Sequence, residues 1–173
     1  MKTGKSKAKG NAFENKIAKT LSKWMFNDDP NLLSRSITSG AKKSAYLGDI
    51  VPQMQLPWKN WIFNIECKHG YKGNIPNLNN QTIVRGWLDK VIIERDTQEL
   101  IIYLIIKFHG YSTILLTDLP FEGVTPSLIL NHASVKDESI IPFHLYNFDE
   151  LIEENNFYDL YNNNQKLKEV FNT

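Results

Sequence analysis

The segment WIFNIECK, residues 61–68, is an apolar run that ends in two opposite charges. Side chains alternate between the two faces of a strand, so this pattern predicts a strand with one apolar face and one face that ends polar. The polar end consists of Glu66 and Lys68. These side chains point the same way, about 7 Å apart along the strand, which is too far for an ideal direct pair but lets both reach one bound object. The apolar face consists of Trp61, Phe63, Ile65 and Cys67.

A second carboxylate, Asp49, opens the preceding predicted strand, residues 49–51. If strands 49–51 and 61–68 pair as an antiparallel hairpin, Asp49 lies beside Glu66. Neighbouring carboxylates repel each other unless a cation lies between them, and Mg²⁺ commonly binds one or two carboxylates together with water and phosphate oxygens. A nearby lysine such as Lys68 could then orient a metal-bound water or stabilise charge on phosphorus. Two simpler interpretations remain open: Glu66 and Lys68 form a surface ion pair, and Asp49 belongs to a turn.

A third carboxylate, Glu14, lies within the apolar face of a predicted helix that runs from Ala12 to about Phe26, with Asn11 as its N-cap. A carboxylate on such a face is unfavourable unless a positive group meets it, so Glu14 could approach the other two acids. Alternatively, Asn11 and Glu14 have the spacing of a capping box, in which the glutamate accepts a hydrogen bond from the Asn11 amide. The apolar residues of this face are Phe13, Ile17, Ala18, Leu21, Trp24 and Met25.

The remaining elements predict an α/β fold with one mixed sheet flanked by helices, in the order α-β-β-α-β-β-β-α. A chain of 173 residues forms one domain by default. Residues 1–10 are expected to be a mobile basic arm, and residues 11–173 the domain, with a core at about 11–117 and an extension at 118–173. The further predicted elements are a helix at 82–95, strands at 99–108, 111–117 and 140–145, and helices at 148–154 and 158–171.

Charge is distributed unevenly along the chain, whose overall net charge is +1. Residues 1–72 hold 13 Lys and Arg against 5 Asp and Glu, a net +8, whereas residues 73–173 hold 7 against 14, a net −7. The basic half therefore suits a polyanionic partner such as a nucleic acid.

The single cysteine, Cys67, excludes an internal disulfide and fits a reducing compartment. The Lys-rich start lacks an apolar signal segment, and the apolar run from Leu100 to Ile106 is too short to span a bilayer. We therefore expect a cytoplasmic protein with no membrane partner. The sequence contains no Walker loop, nucleophile elbow or dinucleotide motif, so no small-molecule cofactor is expected, and its histidines lack zinc-ligand spacing.

Two stretches, Gly48-Asp49 and Ile65-Glu66-Cys67-Lys68, together resemble the Asp…Glu-x-Lys signature of the PD-(D/E)XK nuclease superfamily. The stretch Lys9-Gly10-Asn11-Ala12-Phe13-Glu14 resembles the Lys-Gly-x-x-Phe-Glu opening of archaeal and phage Holliday junction resolvases and related phage endonucleases. The resemblance covers about residues 9–117. Further similar positions are Ser34-Arg35-Ser36, Ser39-Gly40-Ala41, Trp87 and Lys107.

The resemblance implies a restriction-endonuclease-like fold with an αβββαβ-type core and a Mg²⁺-dependent DNA endonuclease activity, with Mn²⁺ able to substitute. By position it implies Asp49 and Glu66 as metal ligands, with the backbone carbonyl of Cys67 as a further ligand. Lys68 would be the catalytic lysine and Glu14 the helix carboxylate of the active site. The chain departs from the family pattern at Gly48, where the motif has proline, and at Lys90, where many phage relatives have glutamine.

The expected partner is branched or duplex DNA, and phosphate contacts would make its binding strongly salt-dependent. A structure-selective, Holliday junction resolvase-like enzyme of this type acts as a twofold homodimer, in the host cell cytoplasm if the protein is phage-encoded. A nicking or restriction-like nuclease and a non-catalytic nucleic-acid-binding module remain alternatives. The residues expected to contact DNA are Lys5, Lys7, Lys9, Arg35, Ser36, Ser39, Lys42 and Lys43.

Overall fold

The structure is a computed structural model that describes residues 3–36, 46–53, 61–72, 78, 82–96, 100–134 and 138–163. The described residues form four helices and seven strands. In chain order these are α1 (Thr3–Met25), β1 (Leu33–Arg35), β2 (Ile50–Pro52), β3 (Phe63–Tyr71), α2 (Thr82–Asp96), β4 (Ile101–Phe108), β5 (Thr113–Thr117), β6 (Leu128–Ala133), β7 (Ile140–Asn147), α3 (Phe148–Glu154) and α4 (Phe157–Asn163). No described helix is both long enough and apolar enough to cross a membrane.

The larger sheet has five strands in the order β3-β4-β5-β7-β6. β3 and β4 run parallel and are joined through α2, whereas the other neighbours pair antiparallel. Parallel neighbours need a crossover connection, and a helix of this length supplies it. The mixed sheet with flanking helices confirms the predicted restriction-endonuclease-like α/β architecture. β6 and β7, from the predicted C-terminal extension, belong to this same sheet.

Each face of the sheet carries its own apolar core. On one face, α1 packs Phe13, Ile17 and Leu21 against a cluster that includes Phe63 and Tyr103. On the other face, α2 packs a second cluster of buried residues against the sheet, namely Val84, Leu88, Val91, Ile102, Leu104 and Ile106. The interior strand β4, which lies between β3 and β5, contributes to both clusters, which explains why its sequence is almost continuously apolar.

The start of α1 corrects two expectations. The helix begins at Thr3 rather than at Ala12, so residues 3–10 of the predicted mobile arm are helical. This segment contains no proline, and its lysines and alanine favour a helix even though residues 6–9 are exposed. Asn11 therefore lies inside the helix and cannot act as its N-cap, which removes the predicted capping box with Glu14.

The pairing of β2 corrects a third expectation. β2 pairs antiparallel with β1, a strand that the sequence did not predict, and these two form a separate small sheet. The contact between the Asp49 segment and β3 is a parallel bridge, Gly48 with Ile65, so the predicted antiparallel hairpin is wrong. The long polar segment before Gly48 does not show the alternating pattern that predicts a strand, because β1 has only three residues.

The rest of the prediction is close to the structure, with one further omission. α2, α3 and the β4–β5 hairpin around His109 and Gly110 are confirmed to within about two residues at each end. β6 was not predicted, although its side chains alternate between partly or fully buried and exposed as in a half-buried strand. α4 begins at Phe157, one residue before the predicted start, and the part of the predicted helix 158–171 beyond residue 163 lies outside the described residues.

Candidate active site

Asp49 is held against the edge of β3 by both its backbone and its side chain. Its backbone N–H donates to the carbonyl of Ile65 at 2.7 Å. Its Oδ2 accepts a hydrogen bond from the backbone N–H of Cys67 at 2.8 Å. The carbonyl of Asp49 accepts a hydrogen bond at 2.7 Å from the N–H of Ser36, the residue that follows β1, which holds Asp49 from the other side. A parallel contact thus brings Asp49 to the position next to Glu66 that a hairpin was expected to provide.

Gly48 makes this close approach possible. Its φ of +94° lies in the left-handed region, which proline cannot adopt because its ring fixes φ near −65°. A Cβ on Gly48 would lie 2.7 Å from the carbonyl oxygen of Ile65 and 2.9 Å from Oδ1 of Asn64. The departure from the proline of the family motif therefore has a local reason: the backbone crosses β3 at this residue too closely for a side chain.

Glu66 is almost completely buried, with 3% of its side chain exposed, and two ammonium groups share one of its oxygens. Lys68 Nζ makes a short contact with Oε1 of Glu66, and Lys90 Nζ on α2 lies 2.8 Å from the same atom. The expectation that Glu66 and Lys68 lie too far apart for a direct pair is therefore wrong. The spacing along the strand separates their backbones, but the four-carbon stem of lysine is long enough to fold back.

The two acids have opposite pKa shifts. Burial and then the charge of Glu66 raise the pKa of Asp49 to about 6. Burial also opposes the ionisation of Glu66, but the adjacent Lys68 and Lys90 outweigh it, and the pKa of Glu66 lies below its ordinary value. Glu66 is therefore a stable carboxylate at neutral pH, whereas Asp49 would gain from an additional cation.

Glu14 reaches the site from α1. Its Oε2 lies 3.8 Å from Nη1 of Arg35. Burial raises the pKa of Glu14, Arg35 opposes that rise, and the charges of Glu66 and Lys68 act on it as well. The structure thus brings Glu14, Asp49, Glu66 and Lys68 within electrostatic range of one another, although their secondary-structure elements are far apart in sequence.

The residues expected to contact DNA are placed unevenly. Lys7 and Lys9 are exposed on α1, and Lys5 lies in the first turns of the same helix. Arg35 is engaged with Glu14 and remains partly exposed. Ser36 is buried beside Asp49, so it lies in the wall of the site rather than on an outer surface. Ser39, Lys42 and Lys43 lie outside the described residues.

Sequence reasoning missed the contribution of α2 to the site. Lys90 was noted only as a departure from the family pattern and Trp87 only as a position similar to it, yet the Trp87 ring lies 6.0 Å from Nζ of Lys68. Tyr71 at the end of β3 contacts the same ring, with 4.8 Å between centroids. Glu94, one turn after Lys90, accepts a hydrogen bond from Nδ2 of Asn64. Only the packing of α2 on the sheet reveals these contacts, because no local pattern fixes which α2 side chains reach β3.

The donor groups at this position fit a hard divalent cation. Among the described residues, no three Asp, Glu, His or Cys side chains form a cluster that could hold a metal ion. Mg²⁺ does not need such a cluster, because it commonly takes one or two carboxylates and keeps several waters. Asp49 and Glu66, with the Cys67 carbonyl, supply oxygen donors. Burial raises the pKa of the Cys67 thiol well above its ordinary value, so it is not a thiolate ligand for a soft metal.

The comparisons with known proteins give one match. A family model described as "Phage putative PDDEXK endonuclease" matches residues 5–161, which include α1, the Asp49 segment, β3 and α2. No curated protein and no solved structure matches the chain.

Proposed function

The chain belongs to this family of phage PDDEXK endonucleases and is a nuclease by that membership, and we propose that it is a Mg²⁺-dependent endonuclease that hydrolyses DNA phosphodiesters. The observation that carries the proposal is the hydrogen bond from the Cys67 N–H to Oδ2 of Asp49. It holds Asp49 next to Glu66, so that two carboxylates and Lys68 meet at one edge of β3.

Asp49, Glu66 and the Cys67 carbonyl would hold Mg²⁺, with Mn²⁺ able to substitute. The bound ion would activate water and offset the charge that develops on the phosphate. Lys68 is confined between Glu66 and the Trp87 ring, which keeps its ammonium at the site to stabilise negative charge on phosphorus. Glu14 holds Arg35 at the rim, where its guanidinium can meet a phosphate oxygen.

The exposed lysines of α1 support DNA as the substrate. Lys7 and Lys9 precede Glu14 by about one to two helical turns, so they lie within about 10 Å of it along the helix axis. Burial and then the charges of Lys9 and Lys107 lower the pKa of His69, a residue of β3 next to Lys68. Cations from two elements therefore surround the end of β3, as a surface that tracks a phosphate backbone requires.

Within this activity we propose that the preferred substrate is branched DNA and that the enzyme is a twofold homodimer in the cytoplasm of the host cell. The support is the resemblance of residues 9–14 to the opening of Holliday junction resolvases. Two symmetric cuts across a four-way junction need two active sites related by a twofold axis.

Cleavage of a four-way junction, a plasmid and single-stranded DNA tests these proposals when each is incubated with Mg²⁺, Mn²⁺ or EDTA. We expect fast paired cuts in the junction with either metal, slower cutting of the plasmid and none in EDTA. Preferential nicking or sequence-specific cutting of duplex DNA would replace the resolvase proposal with a restriction-like one. Binding of DNA without cleavage in either metal would contradict the enzyme proposal, and a monomer by light scattering with junction DNA present would contradict the dimer.

A further inference from the structure

Two lysines bind the same oxygen of Glu66 but in different surroundings. Lys68 comes from β3 itself, has 16% of its side chain exposed and lies against the Trp87 ring. Lys90 comes from α2, has 51% of its side chain exposed and lies 2.8 Å from Oε1 of Glu66. Lys68 is therefore enclosed, whereas Lys90 can turn into solvent without breaking any part of the core.

An ammonium group bound to Oε1 of Glu66 influences how tightly Glu66 can bind a metal ion. A carboxylate that is 3% exposed needs a positive partner, because an isolated buried charge is strongly unfavourable. In the structure, Lys90 supplies a second positive charge beside that of Lys68. A divalent cation at Asp49 and Glu66 would repel the Lys90 ammonium and compete with it for the same oxygen.

Lys90 also has alternative partners on the outer side of the site. Glu94 Oε1 lies 3.7 Å from its Nζ, one turn along α2, and half of the lysine side chain faces solvent. A lysine ammonium is a mobile point charge that binds phosphate oxygens readily. A DNA phosphate next to Lys68 would therefore offer Lys90 a partner at the moment when it leaves Glu66.

We propose that Lys90 is a positioning residue that holds Oε1 of Glu66 in the free enzyme and moves to a DNA phosphate when substrate binds. DNA binding then makes Glu66 available to the metal, and the metal in turn frees Lys90 for DNA. Because such coupling is reciprocal, each ligand raises the affinity for the other. This inference rests on the proposed function, since it names a further residue of the same site.

The first measurement is Mn²⁺ binding to the protein without DNA, by isothermal titration calorimetry. Lys90→Gln removes the competing charge, so we expect it to bind Mn²⁺ more tightly than wild type by about fivefold, a coupling typical of linked sites. Lys90→Arg keeps the charge and should bind as wild type does. Lys16→Gln, which removes an exposed lysine from α1 away from Glu66, is the matched control and should also leave the affinity unchanged.

The second measurement is junction-DNA binding in EDTA as a function of salt. Lys90→Gln should bind more weakly, and the slope of log affinity against log salt should fall by about 1, the value for one lost phosphate contact. Lys90→Arg should keep the wild-type slope. In Mn²⁺ titrations with an uncleavable phosphorothioate junction, DNA should tighten metal binding more in wild type than in Lys90→Gln.

Unchanged Mn²⁺ affinity and an unchanged salt slope in Lys90→Gln would overturn the inference, as would metal binding weakened by the substitution. These outcomes are distinct from a failure of the proposed function. If wild type binds Mn²⁺ and DNA with the expected coupling but cuts no DNA, the nuclease proposal fails while the role of Lys90 stands. If wild type cuts DNA and Lys90→Gln leaves both affinities unaltered, the proposed role of Lys90 fails while the nuclease proposal stands.

Discussion

The two faces of β3 differ in what their burial achieves. The face toward α1 presents Phe63, Ile65 and Cys67, which are buried in a continuous apolar core. The face toward α2 presents Asn64 and Glu66, which are equally buried but polar. No group in the described residues donates a hydrogen bond to Oδ1 of Asn64. One face stabilises the fold through apolar area, and the other buries polar groups at a cost in stability. Under the proposed function, these dry surroundings would strengthen the electrostatic interactions that the reaction needs.

The largest expected effect on stability is on the α1 side. Phe63→Ala removes a fully buried ring that contacts the rings of Trp61 and Tyr103. We expect the free energy of unfolding to fall by about 3–5 kcal/mol, the usual loss for a buried phenylalanine. Urea denaturation followed by circular dichroism measures it. A loss below about 1 kcal/mol would mean that this face does not carry the core.

The next largest expected effect on stability is at Gly48, where the Asp49 segment crosses β3. Gly48→Ala places a Cβ 2.7 Å from the carbonyl oxygen of Ile65, in a backbone conformation that alanine rarely adopts. We expect a loss of about 1–3 kcal/mol of stability, and a loss of Mn²⁺ binding because Asp49 is displaced from β3. Gly86→Ala on α2 is the matched control, since a Cβ there meets no atom within 4 Å. Equal metal affinities for Gly48→Ala and wild type would contradict the assigned role of the close approach.

The prediction for Asp49 has the opposite sign. Burial and the charge of Glu66 raise the folded-state pKa of Asp49 from its ordinary value of 3.8 to about 6, so the fold disfavours its ionised form. A shift of this size corresponds to at most about 3 kcal/mol. The resulting penalty is fully present above pH 6, shrinks as the pH falls and disappears below about pH 4. Asp49→Asn should therefore raise the melting temperature in EDTA at pH 8 by a few degrees, about 2–4 °C, and by less at pH 4.5.

Differential scanning fluorimetry at the two pH values measures this difference. Asp118→Asn is a useful comparison, because that buried carboxylate is paired with Arg95 at 3.1 Å and its loss should lower the melting temperature. If Asp49→Asn instead destabilises the metal-free protein at pH 8, Asp49 is a structural residue, and the contrast between the two faces loses its electrostatic basis.

The smallest expected effect on stability concerns the exposed start of α1. Lys7→Gln together with Lys9→Gln should change the free energy of unfolding by less than about 0.5 kcal/mol, because both residues are exposed. The slope of log DNA affinity against log salt should nevertheless fall by about 2, one unit for each phosphate contact. An unchanged slope would show that these lysines of α1 do not contact DNA phosphates. The control is Lys16→Gln with Lys19→Gln on the same helix.

The alternation of β3 could be predicted from sequence because it depends on strand geometry alone. It correctly separated the apolar face from the face of Glu66, and the helical period likewise located α2. The approach of Asp49 to β3 was expected, but through the wrong pairing, because partner strands that are distant in sequence leave no local signal. Lys90 could not be assigned to Glu66, since only the packing angle of α2 decides which of its side chains reaches the sheet.

The predicted start of α1 was wrong for a different reason. The Lys-rich segment has no apolar residues at helical spacing. Because a packed helix is predicted from its apolar face, this segment was predicted to be a mobile arm. Helix propensity was sufficient to extend the packed part of α1 toward the N-terminus, and Gly10 did not interrupt it. Exposure was thus predicted correctly for Lys7 and Lys9, and conformation was not.

The catalytic role of this face is tested most directly by comparing Glu66→Gln with Ile105→Val, two conservative changes on opposite faces of neighbouring strands. For each variant, the melting temperature in EDTA and the initial rate of junction cleavage in Mg²⁺ are measured. We predict that Glu66→Gln stays folded but cuts about 100-fold more slowly or worse. Ile105→Val should lose about 1 kcal/mol of stability and keep its rate. Cleavage by Glu66→Gln at the wild-type rate would contradict the central claim that this face of β3 is the active site.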